Sequence, residues 1–460
     1  MADTSPAPSS SSELKQTVGG WQILFYGLGS MLGAGIYALI GKAATDLGNA
    51  VWLAFLLAMV AALLTGLSYA CVGSRYAKAG GASYVTQHSL RKPWLSYAVG
   101  IAVMMSGLTS MATGTQAIAE NLAKALNMEL PTKLVAIALV FLVGCVIYRG
   151  LRESMWANIV CTVVEASGLL FIIAVGVSYW GSVDYLETAH DTASGGPGSG
   201  ITLALVMQGA VLTFYSFIGF EDILNVSEEV KNPRRNIPFG LVGAMILATI
   251  IYMAVAITAV SVLPWQELSI SKAPLMDVAK KAAPWFTGID SVYAAITIFA
   301  IGNTALLNYI MGSRLLYGMS KQGLLPALLA RVHPVRHSPH VAIAVLFGIV
   351  TVLILSGGVK QLAESTVLLL LTVFTIVNIA LVKLKLSPND EKGGFEVPIF
   401  VPALGALVCA ALIVVRFQTA LTSEDEATRT APLIALAIIA ISLVLYRALK
   451  PKEVVVEEVD

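Results

Sequence analysis

Three acids stand where the surrounding sequence is apolar. Glu221 and Asp222 lie side by side in "FYSFIGFEDILN", Phe214 to Asn225, and Glu165 interrupts "WANIVCTVVEASGLLFII". An ionised carboxylate among residues that favour lipid or protein interior is costly unless something pairs with it. Such an acid is therefore either a neutral hydrogen-bonding group between helices or a group that titrates when hydration or a nearby cation changes. The second is what a proton-coupled step needs, and it is the chemistry expected of Glu165. Glu221 and Asp222 have a plainer alternative, because a helix starting at Ile201 reaches its end roughly 20 residues on, with both acids in interfacial water.

Other polar residues carry weaker signals. Asn303 and Thr304 sit mid-run in "FAIGNTALLNYIMGSRLLYG", either lining a cavity or bonding across helices. Glu228 and Glu229 precede "VKNPRRNIP", whose prolines end a helix and turn the chain. They are a solvated helix end or an inside gate that pairs with Arg75 or Arg234, and an exposed pair is worth only about 0 to 1 kcal/mol. His333, His337 and His340 are separated by prolines 334 and 339 and have no cysteine or acid beside them, so no metal site is expected. Cys71, Cys145, Cys161 and Cys409 fall in different apolar runs without paired spacing, which argues against disulfides. With no P-loop, nucleophile elbow or paired catalytic constellation, neither ATP-driven transport nor enzymatic activity has support, and no cofactor is implied.

The elements that must position these groups are membrane helices. Of 460 residues, 57% are hydrophobic and 12% charged, far outside soluble globular usage. About 12 apolar runs are long enough to cross roughly 30 Å of hydrocarbon, or nearly so. They begin near Trp21, Val51, Leu95, Leu134, Trp156, Ile201, Leu241, Ser291, Val341, Val367, Ile399 and Pro432. None alternates apolar and polar residues, which excludes a β-barrel, so the fold class is an all-α integral membrane protein with the lipid bilayer as its first partner. A net charge of +1 without a basic stripe implies no nucleic acid. With both termini in the cytoplasm, roughly 20 of the 29 lysines and arginines fall inside, the favoured bias.

Residues 1–16, "MADTSPAPSSSSELKQ", are expected to be a disordered cytosolic tail and not a signal peptide. Residues 17–450 form one transmembrane domain, 451–460 a second tail, and "HDTASGGPGSG" a flexible outside linker.

Two runs look broken. In "GLGSMLGAGIYALIG" five glycines crowd one helix, and in "IGFED" a glycine and two acids interrupt another. Glycines also serve close helix packing. In two five-span repeats of inverted orientation, over residues 17–180 and 200–385, spans one and six correspond, and paired interruptions there mark a substrate site near the midplane. Spans eleven and twelve, 398–450, would stand outside the repeat.

"GAGI", "SRYAKAGGASYV", "FIGFED" leading to "SEEVKNPRRNIPFGL", and "SRLLYGMSKQGLLP" occur in that order. Together they resemble the amino acid, polyamine and organocation transporter superfamily, and within it bacterial relatives of the cationic amino acid transporters. The resemblance implies a leucine-transporter-type fold working by alternating access. Met31, Gly33, Ala34, Gly35 and Ile36 would offer backbone amides and a positive dipole end to a substrate carboxylate. Phe217, Gly219, Phe220 and Glu221 would offer carbonyls and a carboxylate to its amine, with Phe220 as a lid. Adjacent helical residues point in different directions, so Glu221 is the expected site acid and Asp222 its neighbour.

Three departures stand out. Cys71 replaces an acid of many relatives, and Lys321 and Gln322 replace an Arg-Asp pair. Glu165 stands where many relatives carry a lysine in place of a sodium ion, so ion coupling is expected of Glu165, Asn303 and Thr304. The expected function is a secondary transporter of a small-molecule substrate, an amino acid or related amine, across the cytoplasmic membrane, coupled to protons or to exchange. A polyamine or organic amine permease is the alternative within the class, and a non-transporting sensor or transporter subunit the alternative outside it.

Overall fold

A computed structural model describes residues 14–126, 131–189, 201–271, 273–356, 359–387, 392–422 and 426–449. Its described secondary structure is helical apart from one isolated parallel pairing between Val18 and Val230. The first apolar run forms two helices, α1 (Gly20–Met31) and α2 (Ala34–Leu47). Next come α3 (Val51–Arg75), the short α4 (Gly81–Leu90), α5 (Pro93–Leu126), α6 (Thr132–Arg149) and α7 (Leu151–Gly176). The second half holds α8 (Leu203–Phe214), α9 (Pro233–Val262), the short α10 (Trp265–Ile270) and α11 (Pro274–Ala282), and α12 (Ile289–Lys321). It closes with α13 (His340–Ser356), α14 (Val359–Lys385), α15 (Phe400–Thr422) and α16 (Glu426–Leu449).

Among the described residues, nine helices are long and apolar enough to span a bilayer, or ten if the broken first run counts as one. The sequence expects about 12, and the difference lies in two short helices: α13 with 17 residues and α8 with 12. Apolar side chains such as Leu134, Phe141, Leu433 and Val444 project outward from α6 and α16. This is the expected arrangement where the solvent is lipid. Inside, α9 packs on α1 and α3, while α12 packs on α5 and α7 and α14 on α5. These helices surround the two breaks.

Leu14 differs from the expectation of a loose tail. It is buried against Ala79 and Tyr317, and the following strand of backbone is tied down: the Thr17 and Val18 N–H groups donate to the Glu229 carbonyl at 2.9 and 3.0 Å. Residues 1–13, the 190–200 linker and 450–460 lie outside the described residues.

Candidate substrate site

The first break begins where α1 stops. Leu32 N–H still reaches the Leu28 carbonyl at 2.8 Å, and Gly33 then leaves the helical region with φ −51° and ψ −164°. α2 restarts at Ala34, so the N–H groups of its first turn have no intrahelical acceptors and carry the positive end of the helix dipole.

The second break is longer than the sequence predicts. α8 ends at Phe214, a 3-10 turn covers Tyr215–Phe217, Ile218 is extended, and Gly219 adopts φ 126°. The chain then winds as a 3-10 helix over Phe220–Glu229 instead of resuming an α-helix. At about 2.0 Å per residue against 1.5 Å, this winding carries ten residues about 20 Å, roughly a third farther than an α-helix would.

The breaks pack into each other. A methyl group on Gly35 would lie 3.1 Å from the Ser216 Cα, and one on Gly33 would lie 2.8 Å from Thr304 Oγ1. Tyr252, on α9, bridges both segments: its hydroxyl lies 2.5 Å from the Met31 carbonyl oxygen and 2.9 Å from that of Ser216. No local signal marks Tyr252 in its long apolar run.

Between the breaks lies a cavity of about 100 Å³. Ser30, Met31, Gly33 and Gly35 form one wall, and Tyr215, Ser216, Ile218, Gly219, Glu221 and Asp222 face them. α5 adds Ser106, Gly107 and Ser110, α12 adds Thr304, Asn308 and Met311, and α14 adds Thr366 and Leu370. Glu221 curls back to accept the Gly219 N–H at 2.8 Å, and Asp222 accepts the Ser30 hydroxyl at 3.0 Å. Both acids are 5% exposed. Their expected separation into a site acid and a bystander is corrected, because the cavity wraps the start of the 3-10 helix and both side chains border it.

Beside the cavity is a second polar cluster. Glu165, fully buried, accepts from Asn303 Nδ2 at 3.2 Å, which also donates to Thr162 Oγ1 at 3.2 Å. Thr162 in turn donates to Asn158 Oδ1 at 3.1 Å. Glu165 Oε1, Asn303 Oδ1 and Asn158 Nδ2 have no hydrogen-bond partner among the described residues. α1 lies against this cluster just before its break, since a methyl on Gly29 would come within 2.7 Å of Asn303 Nδ2. Adjacent on α12, Asn303 joins the cluster and Thr304 borders the cavity.

Outside the cavity lining, Glu229 and Arg314 form an ion pair at 2.9 Å with side chains 3% and 0% exposed. Glu228 accepts the Ala79 N–H at 2.9 Å and the Tyr317 hydroxyl at 3.4 Å. The charge of Arg75 is matched elsewhere, by Glu396 at 2.5 Å, which Lys385 also reaches at 2.6 Å. The expected pairing of Glu229 with Arg75 or Arg234 is thereby corrected. Arg314 is 85 residues from Glu229 in sequence, and only the packing of α12 beside the 3-10 helix brings the two together.

The amino acid permease family model matches this chain over residues 18–444. The chain belongs to that family. The permease thereby falls within the amino acid, polyamine and organocation superfamily. It is 29% identical over 435 residues to the methylthioribose transporter of Bacillus subtilis (strain 168), covering 88% of this chain and 90% of the relative. It is 26% identical over 437 residues to the branched-chain amino acid permease of the same organism, covering 90% of each. The chloroplastic cationic amino acid transporter 9 of Arabidopsis thaliana is 27% identical over 358 residues, covering 72% of this chain and 61% of that protein.

In the permease, Met31, Gly33, Gly35, Gly219 and Glu221, which the resemblance names for substrate binding, border one cavity, and Thr304, named for ion coupling, borders it too. Ala34 enters only as the first residue of α2, and Ile36 and Phe217 are buried outside the cavity lining. Phe220 is not a lid here: its ring is fully buried, 5.5 Å from Tyr69 and 5.2 Å from Phe374 between centroids. The sequence does not single out the small hydroxyl residues Ser30, Ser106, Ser110, Ser216 and Thr366. Their one signal is their scatter through apolar runs, where such residues also serve ordinary helix packing.

Proposed function

We propose that this permease is a secondary transporter that carries an amino acid across the cytoplasmic membrane by alternating access. In this reading the fold has twelve spans, with two inverted five-span repeats, spans eleven and twelve outside them, and both termini in the cytoplasm. The carboxylate of the substrate sits at the free N–H groups that begin α2, and its ammonium group sits toward Glu221, Asp222 and the carbonyls of the second break. One observation carries this: free helix-start N–H groups and two carboxylates border the same cavity, with no lysine or arginine in its described lining. That arrangement suits a zwitterion.

Direction comes from differential binding to outward and inward states. Glu229 and Arg314 hold the inside closed, and Glu165 carries the coupled proton. Its unpartnered oxygen lies in a cluster that touches α1 just before the break, so a change of charge there bears on the segment that binds the carboxylate.

Counterflow into proteoliposomes with a panel of amino acids tests the reading. Uptake of at least one amino acid is expected, and uptake of none overturns it in favour of a non-transporting sensor or subunit. A second reading, an organic amine permease, is favoured by the two acids on the cavity wall. The relatives do not choose between them, because the cargoes they are named for include methylthioribose, branched-chain amino acids and cationic amino acids. Competition decides: inhibition by decarboxylated amines as strong as by amino acids selects the amine reading.

A further inference from the structure

We propose that the Ser216 hydroxyl is a direct ligand of the substrate carboxylate and that Tyr252 is the positioning residue that keeps it available. The proposal deepens the amino acid reading and rests on it.

Ser216 belongs to the second break, whereas the helix start that receives the carboxylate belongs to the first. The residue is 1% exposed and lines the cavity, and its buried Oγ has no hydrogen-bond partner among the described residues. A buried hydroxyl is ordinarily bonded, so an unbonded one on a residue that lines a cavity is a donor awaiting an acceptor. The acceptor's position follows from the neighbours. A methyl on Gly35 would lie 3.2 Å from Ser216 Oγ, which places the hydroxyl beside the first turn of α2. Helix-start N–H groups on one side and an O–H on the other are all donors, and a carboxylate, with two oxygens and about four lone-pair sites, satisfies both.

Tyr252 makes this wall selective. Its single hydroxyl lies between the Met31 and Ser216 carbonyl oxygens, at 2.5 and 2.9 Å, and shares its one proton across the two breaks, which fixes the Ser216 backbone against the first. Its ring is buried, 5.3 Å from that of Phe217 and 5.9 Å from that of Phe55, so the hydroxyl is held in place by packing. With the Ser216 backbone so held, its hydroxyl stays beside the first turn of α2, while the carboxylates of Glu221 and Asp222 border the same cavity. The cavity thereby orients a zwitterion as well as holding it.

The test compares wild type, Ser216→Ala and Tyr252→Phe in proteoliposomes, using the best amino acid from the counterflow panel and its methyl ester as competitor. Wild type is expected to prefer the amino acid over the ester by at least tenfold. Ser216→Ala is expected to raise the amino acid KM about tenfold, the worth of one hydrogen bond to a charged group, and to leave ester inhibition within about twofold. Tyr252→Phe is expected to reduce the same discrimination, with the melting temperature of both variants close to wild type. Discrimination retained in Ser216→Ala overturns this inference alone. An equal loss for amino acid and ester also overturns it, because the hydroxyl then serves something other than the carboxylate. A wild type that does not discriminate overturns the amino acid reading itself. Should Ser216→Ala fail to fold, Tyr252→Phe decides by the same ratio.

Discussion

Gly219 and Ser30 stand so close that a methyl group on Gly219 would sit 2.6 Å from the Ser30 carbonyl oxygen. This contact locks the second break against the first, and Ser30 in turn donates to Asp222. Gly219 is also held at φ 126°, a conformation that side-chain-bearing residues rarely adopt. Two independent requirements for glycine thus meet at one position.

Gly219→Ala is therefore expected to reduce uptake below a tenth of wild type and to lower the melting temperature. The backbone strain alone costs about 1 to 3 kcal/mol, and the collision with Ser30 adds to it. Gly181→Ala is the control, since Gly181 also has positive φ, 84°, but nothing within 4 Å of an added methyl. Its uptake should stay near wild type, and equal losses in the two variants would show that the contact with Ser30 is immaterial.

The Glu229 and Arg314 pair is buried on both sides, so removing one partner strands a charge. Glu229→Gln and Arg314→Met are each expected to destabilise the protein by about 3 to 5 kcal/mol. The double variant should recover much of that loss in a denaturation experiment while still transporting abnormally, because a neutral pair strands no buried charge but cannot serve as an ionic gate. Additive losses would argue against the pairing.

Glu165→Gln keeps an acceptor for Asn303 Nδ2 and removes only the capacity to ionise. Counterflow exchange is expected to persist while accumulation driven by an imposed pH gradient disappears. A variant whose accumulation still follows the gradient would exclude Glu165 as the proton carrier.

Glu396 lies outside the spans, between α14 and α15. Desolvation pushes its carboxyl up, but the bonds from Arg75, Lys385 and the Gly393 N–H outweigh this and hold it down at about 2, from an ordinary 4.5. A carboxyl lowered on folding contributes stability that is complete above the unfolded value and is lost as pH falls through the folded one. Wild type should therefore lose melting temperature relative to Glu396→Gln between pH 4.5 and about 2, and the two should run parallel above pH 5. The effect is about 1 kcal/mol or less, since the side chain is 31% exposed and solvent screens the pair.

Much of the site was legible because its cost is local. A glycine cluster in "GLGSMLGAGIYALIG" and acids after "FYSFIGF" are conspicuous in a chain this apolar, and each marks a break that the structure contains. Glu165 was legible for the same reason, and so were Asn303 and Thr304 as polar residues in mid-run. The 3-10 winding of Phe220–Glu229 was not, because its residues show nothing that separates 3.0 from 3.6 per turn until both ends are anchored.

By itself the sequence determined that this is a membrane protein of packed helices with two interrupted runs, since hydropathy and backbone preference act between residues near each other in the chain. Only the tertiary structure decided that Glu229 meets Arg314 and not Arg75, that Asp222 shares the cavity with Glu221, and that Phe220 is packed away from it. It alone revealed Tyr252 across the two breaks and the unpaired Ser216 hydroxyl beside α2. These relationships join residues up to 221 positions apart, and at such separations a hydrogen bond or ion pair depends on how helices pack, which no local pattern encodes.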